Sequence, residues 1–209
     1  MNALKLLQQS PVMPVIVIKD IDTAVDLARA LVTGGIRSLE ITLRSDVALQ
    51  AIQAISAAVP EALVGVGTVR TPDQLEAAMK AGAKFGVSPG LTPDLAKFAS
   101  HAGIPFLPGV ATASESMFAA DQGFAVQKLF PAEAVGGQAL LKALYGPLPD
   151  IVFCPTGGIN AANAAQYMAL PNVQCVGGSW LTPDAAVAGR QWDAITTLAR
   201  EACTLLAVP

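Results

Sequence analysis

One lysine stands where a buried strand would end, in the stretch AVQKLFPAE at residues 125–133. The apolar run is typical of a short buried strand that Pro131 stops, and Lys128 shares a face with Val126 and Phe130. Burying an ammonium without a partner is costly, so a lysine in such a place tends to lose its proton. The alternative is a side chain that extends to solvent. The apolar flanks favour a partly desolvated amine, which can act as a nucleophile.

A second charged stretch, SLEITLR at residues 38–44, has the alternation of a strand. Successive side chains point to opposite faces, so Glu40, Thr42 and Arg44 share one face and the apolar residues share the other. One interpretation is an ion pair between Glu40 and Arg44 that ties the end of the strand. Two ionisable groups on a buried strand are costly without a task, which favours an acid/base carboxylate and an anion-binding guanidinium.

Two glycine pairs late in the sequence, in CPTGGIN and VGGSW, have the composition of anion-binding loops. Paired glycines let backbone N–H groups approach an anion closely, and each loop leads towards the start of a helix. Either pair alone is compatible with an ordinary tight turn. Together they predict a phosphate site at Gly157, Gly158 and Gly178, with the Ser179 hydroxyl as a further donor.

Other polar residues carry weaker signals. Thr68 follows the run VGVG, where its hydroxyl can cap a helix or contact a ligand. Lys19 ends the first apolar run, where it can meet a phosphate or carboxylate as a point charge or lie in solvent. It is the main rival to Lys128 as the nucleophile. His101, the only histidine, lies near the end of a predicted helix, where a helix-end or surface position is the default interpretation.

Eight short apolar runs, each followed by a helical pattern, must position these residues. Strands that alternate with helices indicate a parallel sheet, and eight such units close a barrel. We predict an α/β fold, a single (β/α)8 TIM barrel over residues 1–209, with an extra N-terminal helix in residues 2–10. A doubly wound open sheet is the alternative, weakened by the missing GxGxxG after the first run. The predicted strands span residues 14–19, 38–43, 63–69, 84–89, 105–110, 125–130, 151–156 and 173–178.

Composition excludes several classes of function. The chain is 53% hydrophobic and 14% charged, with a formal net charge of −3, which argues against a nucleic-acid partner. No apolar run approaches the length of a membrane span, and the first residues lack the pattern of a signal peptide, so we expect a cytoplasmic protein with no membrane partner. Three scattered cysteines and one histidine predict neither a disulfide framework nor a zinc site. We therefore expect no metal and no cofactor.

The predicted barrel would gather these groups at one mouth, because barrels carry their functional residues at the carboxyl ends of the strands. The glycine loops would follow the seventh and eighth strands, where barrels most often hold a phosphate. An amine that attacks a ketone gives an imine, a nearby carboxylate moves protons, and an arginine can clamp a carboxylate. These groups indicate reversible C–C cleavage of a phosphorylated keto acid through a Schiff base.

Two other functions remain open from the residues alone. A barrel sugar-phosphate isomerase or synthase would use the same phosphate loops and acid/base groups without an imine. A non-catalytic phosphosugar-binding protein would bind tightly without turnover, although it does not explain an inward amine and carboxylate together.

The motifs LEITLR, VGVGTV, SPGLT, QKLFPAE, CPTGGI and GGSWL, in this order, resemble those of the 2-keto-3-deoxy-6-phosphogluconate (KDPG) aldolase family. The resemblance covers essentially the whole chain. It implies a class I aldolase that releases pyruvate and glyceraldehyde 3-phosphate in the Entner–Doudoroff pathway, with 4-hydroxy-2-oxoglutarate (KHG) as a second candidate substrate. It also implies a homotrimer of (β/α)8 barrels.

The resemblance assigns roles residue by residue. Lys128 matches the Schiff-base lysine, Glu40 the acid/base glutamate, Arg44 the arginine that meets the keto-acid carboxylate, and Thr68 the threonine at the pyruvate end. The other matched positions are the phosphate loops at Gly157, Gly158, Gly178 and Ser179, the pocket residue Thr156, and the expected pocket walls Pro89 and Phe130.

Overall fold

Strands and helices alternate along the chain in the structure, a computed structural model that describes residues 1–206. This alternation confirms the α/β class. The strands are β1 (Val12–Ile16), β2 (Ser38–Thr42), β3 (Leu63–Gly67), β4 (Gly86–Val87), β5 (Phe106–Leu107), β6 (Gly109–Val110), β7 (Val126–Leu129), β8 (Val152–Phe153) and β9 (Val176–Gly178). The helices are α1 (Ala3–Leu7), α2 (Ala24–Thr33), α3 (Ala48–Ala58), α4 (Pro72–Lys80), α5 (Pro93–Ala99), α6 (Ala113–Asp121), α7 (Gly137–Tyr145), α8 (Ala164–Met168), α9 (Asp184–Ala188) and α10 (Trp192–Leu205), with 3₁₀ helices at Ile21–Thr23 and Glu133–Val135.

The strands of residues 1–206 pair in parallel. One sheet has six strands in the order β5-β4-β3-β2-β1-β9 and forms a half-barrel, and β6-β7-β8 form a second sheet. Isolated parallel bridges join Phe153 to Val173 and Thr156 to Gly177, between the segments of β8 and β9. Every strand pair therefore directs its carboxyl ends to the same edge.

Each predicted strand overlaps an observed one, but two boundaries differ. The run at residues 105–110 is interrupted at Pro108, which has no N–H to give to a sheet ladder. The first strand ends at Ile16 rather than at Lys19. Its last carbonyl accepts the Thr42 hydroxyl at 2.8 Å, and Asp20 then caps a 3₁₀ helix, so the chain turns away from the sheet. Lys19 consequently lies in a loop, which corrects the prediction that it ends the strand.

The core forms two clusters on the two faces of the strands. Leu39 and Ile41 of β2 belong to the larger cluster, which packs against the helices. The smaller cluster combines Met13, Phe85 and other strand residues with leucines of α1. Each fully buried leucine or phenylalanine contributes about 1.5–3 kcal/mol to the free energy of folding. Apolar packing thus fills both faces along the strands, while Glu40 lies at the centre of β2 and Thr42 at its carboxyl end.

Thr-Pro-Asp occurs at residues 71–73, 92–94 and 182–184, and the first two copies begin helices as their composition predicts. The hydroxyls of Thr71 and Thr92 accept the N–H groups of Gln74 and Leu95, each at 3.3 Å. The third copy differs because the Thr182 hydroxyl donates to a carbonyl at 3.4 Å instead of capping α9.

None of the helices within residues 1–206 is long and apolar enough to cross a membrane.

Candidate active site

A cavity of about 270 Å³ lies where the strands end, and it brings together nine of the ten residues predicted for the site; the exception is Lys19. The nine come from five separate segments of the chain, so the half-barrel and the second sheet both contribute. The lining residues are Val15, Glu40, Arg44, Thr68, Pro89, Lys128, Phe130, Thr156, Gly157, Gly158, Ile159, Gly178 and Ser179.

Lys128 and Glu40 form a buried pair inside the cavity. The lysine Nζ lies 3.1 Å from Glu40 Oε1 and 3.4 Å from Oε2. Their side chains are only 7% and 2% exposed, and the Nζ lies 5.4 Å from the centroid of the Phe130 ring. The amine therefore points inward rather than to solvent. Because Glu40 pairs with Lys128, the alternative of a Glu40–Arg44 ion pair is wrong.

Backbone pairing fixes both members of this pair. Lys128 stands in β7, where its N–H donates to the Pro108 carbonyl at 2.8 Å. Glu40 stands at the centre of β2, paired with Gly65 of β3 and Val15 of β1. Gly67 leaves room for the glutamate, since a Cβ there would lie 2.5 Å from Glu40 Cγ. A carboxylate held at hydrogen-bond distance from an amine can exchange a proton with it during imine chemistry.

Arg44 lies at the rim of the cavity, and its terminal nitrogens make no hydrogen bond to a residue between 1 and 206. Its Nε donates to the Thr42 hydroxyl at 3.2 Å, and that hydroxyl donates to the Ile16 carbonyl. Within the described part of the chain, no carboxylate pairs with Arg44. The guanidinium is thus oriented by Thr42 and available for a bidentate contact with an anion.

Two threonines complete the inner wall. Thr68 follows β3 with φ of +61°, a left-handed conformation that is costly for a threonine and concentrates at functional sites. Thr156 is buried, and its hydroxyl donates to the Cys154 carbonyl at 3.4 Å. Both side chains line the cavity beside the Lys128–Glu40 pair.

The loop after β8 turns its carbonyl oxygens towards the protein. Gly157 and Gly158 both have positive φ, +100° and +82°, which glycine adopts without strain. The carbonyls of residues 156–158 accept, in order, the N–H of Ala132 (2.8 Å), the N–H of Glu133 (3.1 Å) and the side-chain amide of Asn163 (3.1 Å).

The N–H groups of the same loop are consequently presented on the opposite side. In a trans peptide the C=O and the next N–H point in opposite directions, so the amides of Gly157, Gly158 and Ile159 face away from these protein donors. None of the three donates a hydrogen bond to any residue that the structure describes. We call these three successive unpaired amides the anion nest, because they are free to donate to an anion.

Ser179 and Gly178 form the facing side of this nest, at the end of β9. The Ser179 side chain is exposed at the rim, and a Cβ on Gly178 would overlap the Trp180 ring. Trp180 thus packs directly against Gly178.

Lys19 lies outside this cavity. Its Nζ pairs with Asp184 at 2.8 Å, and its side chain is 67% exposed. It lines a neighbouring cavity of about 690 Å³, which shares Val15, Arg44 and Ser179 with the first. An exposed, paired ammonium does not have the desolvated surroundings that favour a nucleophilic amine.

Sequence reasoning missed three contributors. Val15 is part of an ordinary apolar run and carries no chemical signal. Ile159 contributes its backbone N–H, for which its position directly after the glycine pair is the usable signal. Thr42 was placed on the inward face, but its role as the support of Arg44 depends on the position of the Ile16 carbonyl.

The cysteines and the histidine of the chain take part in neither a metal cluster nor a disulfide within the described residues. Within residues 1–206 no group of three or more His, Cys, Asp or Glu residues could hold a metal ion. Cys154, Cys175 and Cys203 are free thiols. His101 is exposed after α5, with its Nδ1 2.9 Å from the Lys97 carbonyl, in agreement with the helix-end interpretation.

Fold and site together define a class: a parallel α/β protein in which a buried lysine–carboxylate pair and an anion nest share one cavity at the strand ends. This arrangement is suited to imine chemistry on an anionic substrate.

Comparison with known proteins identifies the family. The family model described as KDPG and KHG aldolase matches residues 4–198. A 2-dehydro-3-deoxy-phosphogluconate aldolase of Pseudoalteromonas atlantica is 53% identical over 93% of this chain and 90% of its own length. A KHG/KDPG aldolase of Escherichia coli is 51% identical over 96% of this chain and 94% of its own. The chain belongs to the KDPG and KHG aldolase family.

A solved relative extends the comparison to chemistry. The KDPG aldolase of Legionella pneumophila, with pyruvate captured at low pH as a covalent carbinolamine intermediate, superposes with a TM-score of 0.95. The two proteins are 45% identical, and the match covers 97% of this chain and 98% of the other.

Proposed function

We propose that this protein is a class I aldolase, a lyase that cleaves KDPG reversibly to pyruvate and glyceraldehyde 3-phosphate, with Lys128 as the Schiff-base nucleophile. The observation that carries the proposal is the buried Lys128–Glu40 pair, with 3.1 Å between Nζ and Oε1. Support comes from relatives that bear the name of this activity and from the carbinolamine captured in the Legionella enzyme.

The first half of the reaction forms the imine. Lys128 first gives a proton to Glu40, and the neutral amine then attacks the C2 ketone. A proton moves from the nitrogen to the oxygen, which gives a carbinolamine. Glu40 transfers a proton to the hydroxyl, which leaves as water, and a protonated imine remains. Since the carboxylate already lies at hydrogen-bond distance from Nζ, it is placed to serve both proton transfers.

The second half breaks the carbon–carbon bond. A base removes the C4 hydroxyl proton, the C3–C4 bond cleaves, and its electron pair moves into the imine to give an enamine and glyceraldehyde 3-phosphate. Protonation at C3 and hydrolysis then release pyruvate and restore the amine. We assign the proton transfers to Glu40, which is the carboxylate beside Nζ.

Two anion sites hold the ends of the substrate. Arg44 receives the keto-acid carboxylate, with Thr68 and Thr156 beside the pyruvate portion. The amides of residues 157–159, with Gly178 and the Ser179 hydroxyl, receive the phosphate. Lys19, which is paired with Asp184 at the neighbouring cavity, would have to leave that carboxylate before it contacts the substrate. Holding both ends places the ketone against Nζ, which lowers the entropic part of the barrier.

KHG is proposed as a second substrate because relatives carry the name KHG/KDPG aldolase. It presents the same keto acid to Arg44 and Lys128 but has a carboxylate in place of the phosphate-bearing tail. We expect a higher KM for it, because it leaves much of the amide nest unfilled.

The deciding experiment is borohydride reduction in the presence of pyruvate, followed by peptide mass mapping. A reduced pyruvyl adduct on Lys128 is the expected result. An adduct on Lys19 would preserve the aldolase but reassign its nucleophile. A folded protein that binds phosphosugars and never gives an adduct would contradict the class I mechanism and favour an isomerase or a binding protein.

The architecture is proposed to be a single closed (β/α)8 barrel domain over residues 1–209, of which 207–209 lie outside the described residues. The isolated bridges between the β8 and β9 segments support closure on one side, and the single residue between β5 and β6 supports it on the other. The packing of Leu6 and Leu7 of α1 in the smaller core cluster supports the N-terminal helix as the cover of the barrel's other end.

The assembly is proposed to be a cytoplasmic homotrimer that uses no metal or cofactor and has no nucleic-acid or membrane partner. Family resemblance supports the trimer. Sedimentation equilibrium measures the state directly, and a mass of one or two chains at micromolar concentration would contradict it.

A further inference from the structure

Tyr167 is a buried tyrosine that the proposed mechanism does not use. It lies on α8, is 0% exposed, and has the largest side chain among the fully buried residues. Its hydroxyl donates to a carboxylate oxygen of Glu133, in the 3₁₀ helix after β7. Burial and the neighbouring carboxylate raise the pKa of Tyr167, so the phenol remains a donor at neutral pH. A buried phenol hydroxyl needs a hydrogen-bond partner. Burial alone does not require that this partner be Glu133.

Glu133 in turn contacts both glycines of the anion nest. A Cβ on Gly158 would lie 2.5 Å from Glu133 Cγ and 2.7 Å from its Cβ, so the stem of the glutamate is in direct contact with the glycine. Its backbone N–H donates to the Gly157 carbonyl at 3.1 Å. One residue thus holds both glycines of the nest, one through its backbone and one through its side chain.

The segment that carries Tyr167 also reaches the nest at a second point. Asn163, directly before α8, donates to the Gly158 carbonyl at 3.1 Å and accepts the Asn160 N–H at 2.9 Å. Tyr167 restrains the same loop indirectly, through Glu133. The Gly158 peptide is therefore held on two sides by contacts that originate in one short helix.

We propose that Tyr167 and Glu133 are positioning residues for phosphate binding, an inference that rests on the proposed function. The tyrosine hydroxyl fixes the glutamate carboxylate away from the nest, and the glutamate stem holds the amides of residues 157–159 in the orientation that an anion requires. Without the hydroxyl, the carboxylate is released, and its rotation towards the nest places a negative charge near the phosphate.

Tyr167→Phe tests the pair because it removes one oxygen and keeps the ring in the core. The KM for KDPG should rise about three- to thirtyfold, since a hydrogen bond to a charged group is lost. The kcat and the rate of pyruvate imine formation should change by less than about twofold, because pyruvate has no phosphate. Tyr145→Phe is the matched control, because Tyr145 is 42% exposed. The KM and kcat of this variant should remain unchanged.

Two substitutions at exposed Glu133 keep the test independent of core folding. Glu133→Gln retains the stem and an acceptor for the tyrosine, so the KM for KDPG should stay within about twofold of the original. Glu133→Ala removes both and should raise the KM at least as much as Tyr167→Phe. A loss in Glu133→Gln as large as that in Glu133→Ala would overturn the hydrogen-bonding role.

The inference fails if folded Tyr167→Phe and Glu133→Ala both keep the original KM for KDPG. It also fails if both lose pyruvate imine formation in the same proportion, because that would be a general structural defect. Failure of the proposed function would give a different result, because the unmodified protein would then form no imine with pyruvate. In that case the positioning role would also be wrong.

Discussion

At the scale of single residues, the central feature is a charged pair buried between β2 and β7. Removing two charges from water costs several kcal/mol each, and mutual attraction repays this only when the geometry is good. A hydrophobic pair of similar size would be at least as stable, so stability alone does not explain Lys128 and Glu40. The proposed imine reaction accounts for their burial, because it needs an amine and a proton acceptor away from bulk water.

Lys128→Ala should abolish KDPG cleavage and borohydride trapping with pyruvate. The variant removes the amine to which imine formation is assigned, and it leaves Glu40 buried without its partner, which also lowers the free energy of unfolding. Lys142→Ala, a change at an exposed lysine of α7, is the matched control. Trapping that persists in a folded Lys128→Ala protein would refute the assignment.

Glu40→Gln should separate proton transfer from binding. The amide keeps the size and one acceptor of the carboxylate but takes up no proton, so kcat should fall about 10²- to 10⁴-fold with little change in KM. Stopped-flow measurement of imine formation would locate the loss. A kcat within a factor of about three of the original would show that another group performs the proton transfers.

Arg44→Lys should weaken the keto-acid end of the site. Lysine retains the charge but loses the planar fork and the Nε contact with Thr42, so the KM for pyruvate in the reverse reaction should rise about tenfold. Arg37→Lys, at an exposed arginine, serves as the comparison. An unchanged KM would mean that the carboxylate binds elsewhere.

At the scale of elements, the same tripeptide has two outcomes. Thr71 and Thr92 cap α4 and α5, whereas Thr182 contacts a carbonyl and leaves α9 without a side-chain cap. In the third copy Asp184 also forms an exposed ion pair with Lys19. Local composition therefore predicts that a helix begins near each copy, but the tertiary environment decides which hydroxyl caps it.

Thr71→Ala should lower the free energy of unfolding by about 1 kcal/mol, the usual cost of losing a threonine cap. Thr182→Ala should cost clearly less, because no helical N–H loses a partner. Urea unfolding of both variants at one pH gives the comparison. Equal losses would mean that the cap hydrogen bond is not the source of the effect.

At the scale of the whole molecule, the interior holds protons that the unfolded chain would release in alkali. Burial raises the pKa of Cys175 well above the ordinary value of a thiol, and burial together with the neighbouring Glu133 carboxylate raises the pKa of Tyr167 above the ordinary value of a phenol. Above pH 9 the folded state therefore binds more protons than the unfolded state. Because stability falls with pH wherever the folded state holds the extra protons, alkali should destabilise this fold.

The free energy of unfolding should fall between pH 9 and pH 11, by up to about 1.4 kcal/mol per pH unit for each such group. Urea unfolding at pH 8, 9.5 and 10.5 measures the slope. Cys175→Ala should flatten it, although it lowers stability at every pH by leaving a cavity. An identical slope in the variant would exclude the Cys175 thiol as a cause.

Much of the fold and site could be predicted because the relevant signals are local. The alternation of Glu40 and Thr42 with Leu39 and Ile41 follows from the period of a strand. The paired glycines indicate a loop whose backbone amides are available to a ligand. Helix and strand periods, caps and breakers depend on residues a few positions apart. The α/β class was therefore predictable before the fold was known, and nine of the ten predicted site residues line the cavity.

Only the tertiary structure decided which groups meet. Lys128 and Glu40 are 88 positions apart, and their pairing depends on how β2 and β7 face each other across the interior. The same is true of Tyr167 and Glu133, of the exposed position of Lys19, and of the support that Thr42 gives to Arg44. The physical reason is that a residue's neighbours along the chain set its face of a strand, whereas strand order and register set the distance between side chains on different strands.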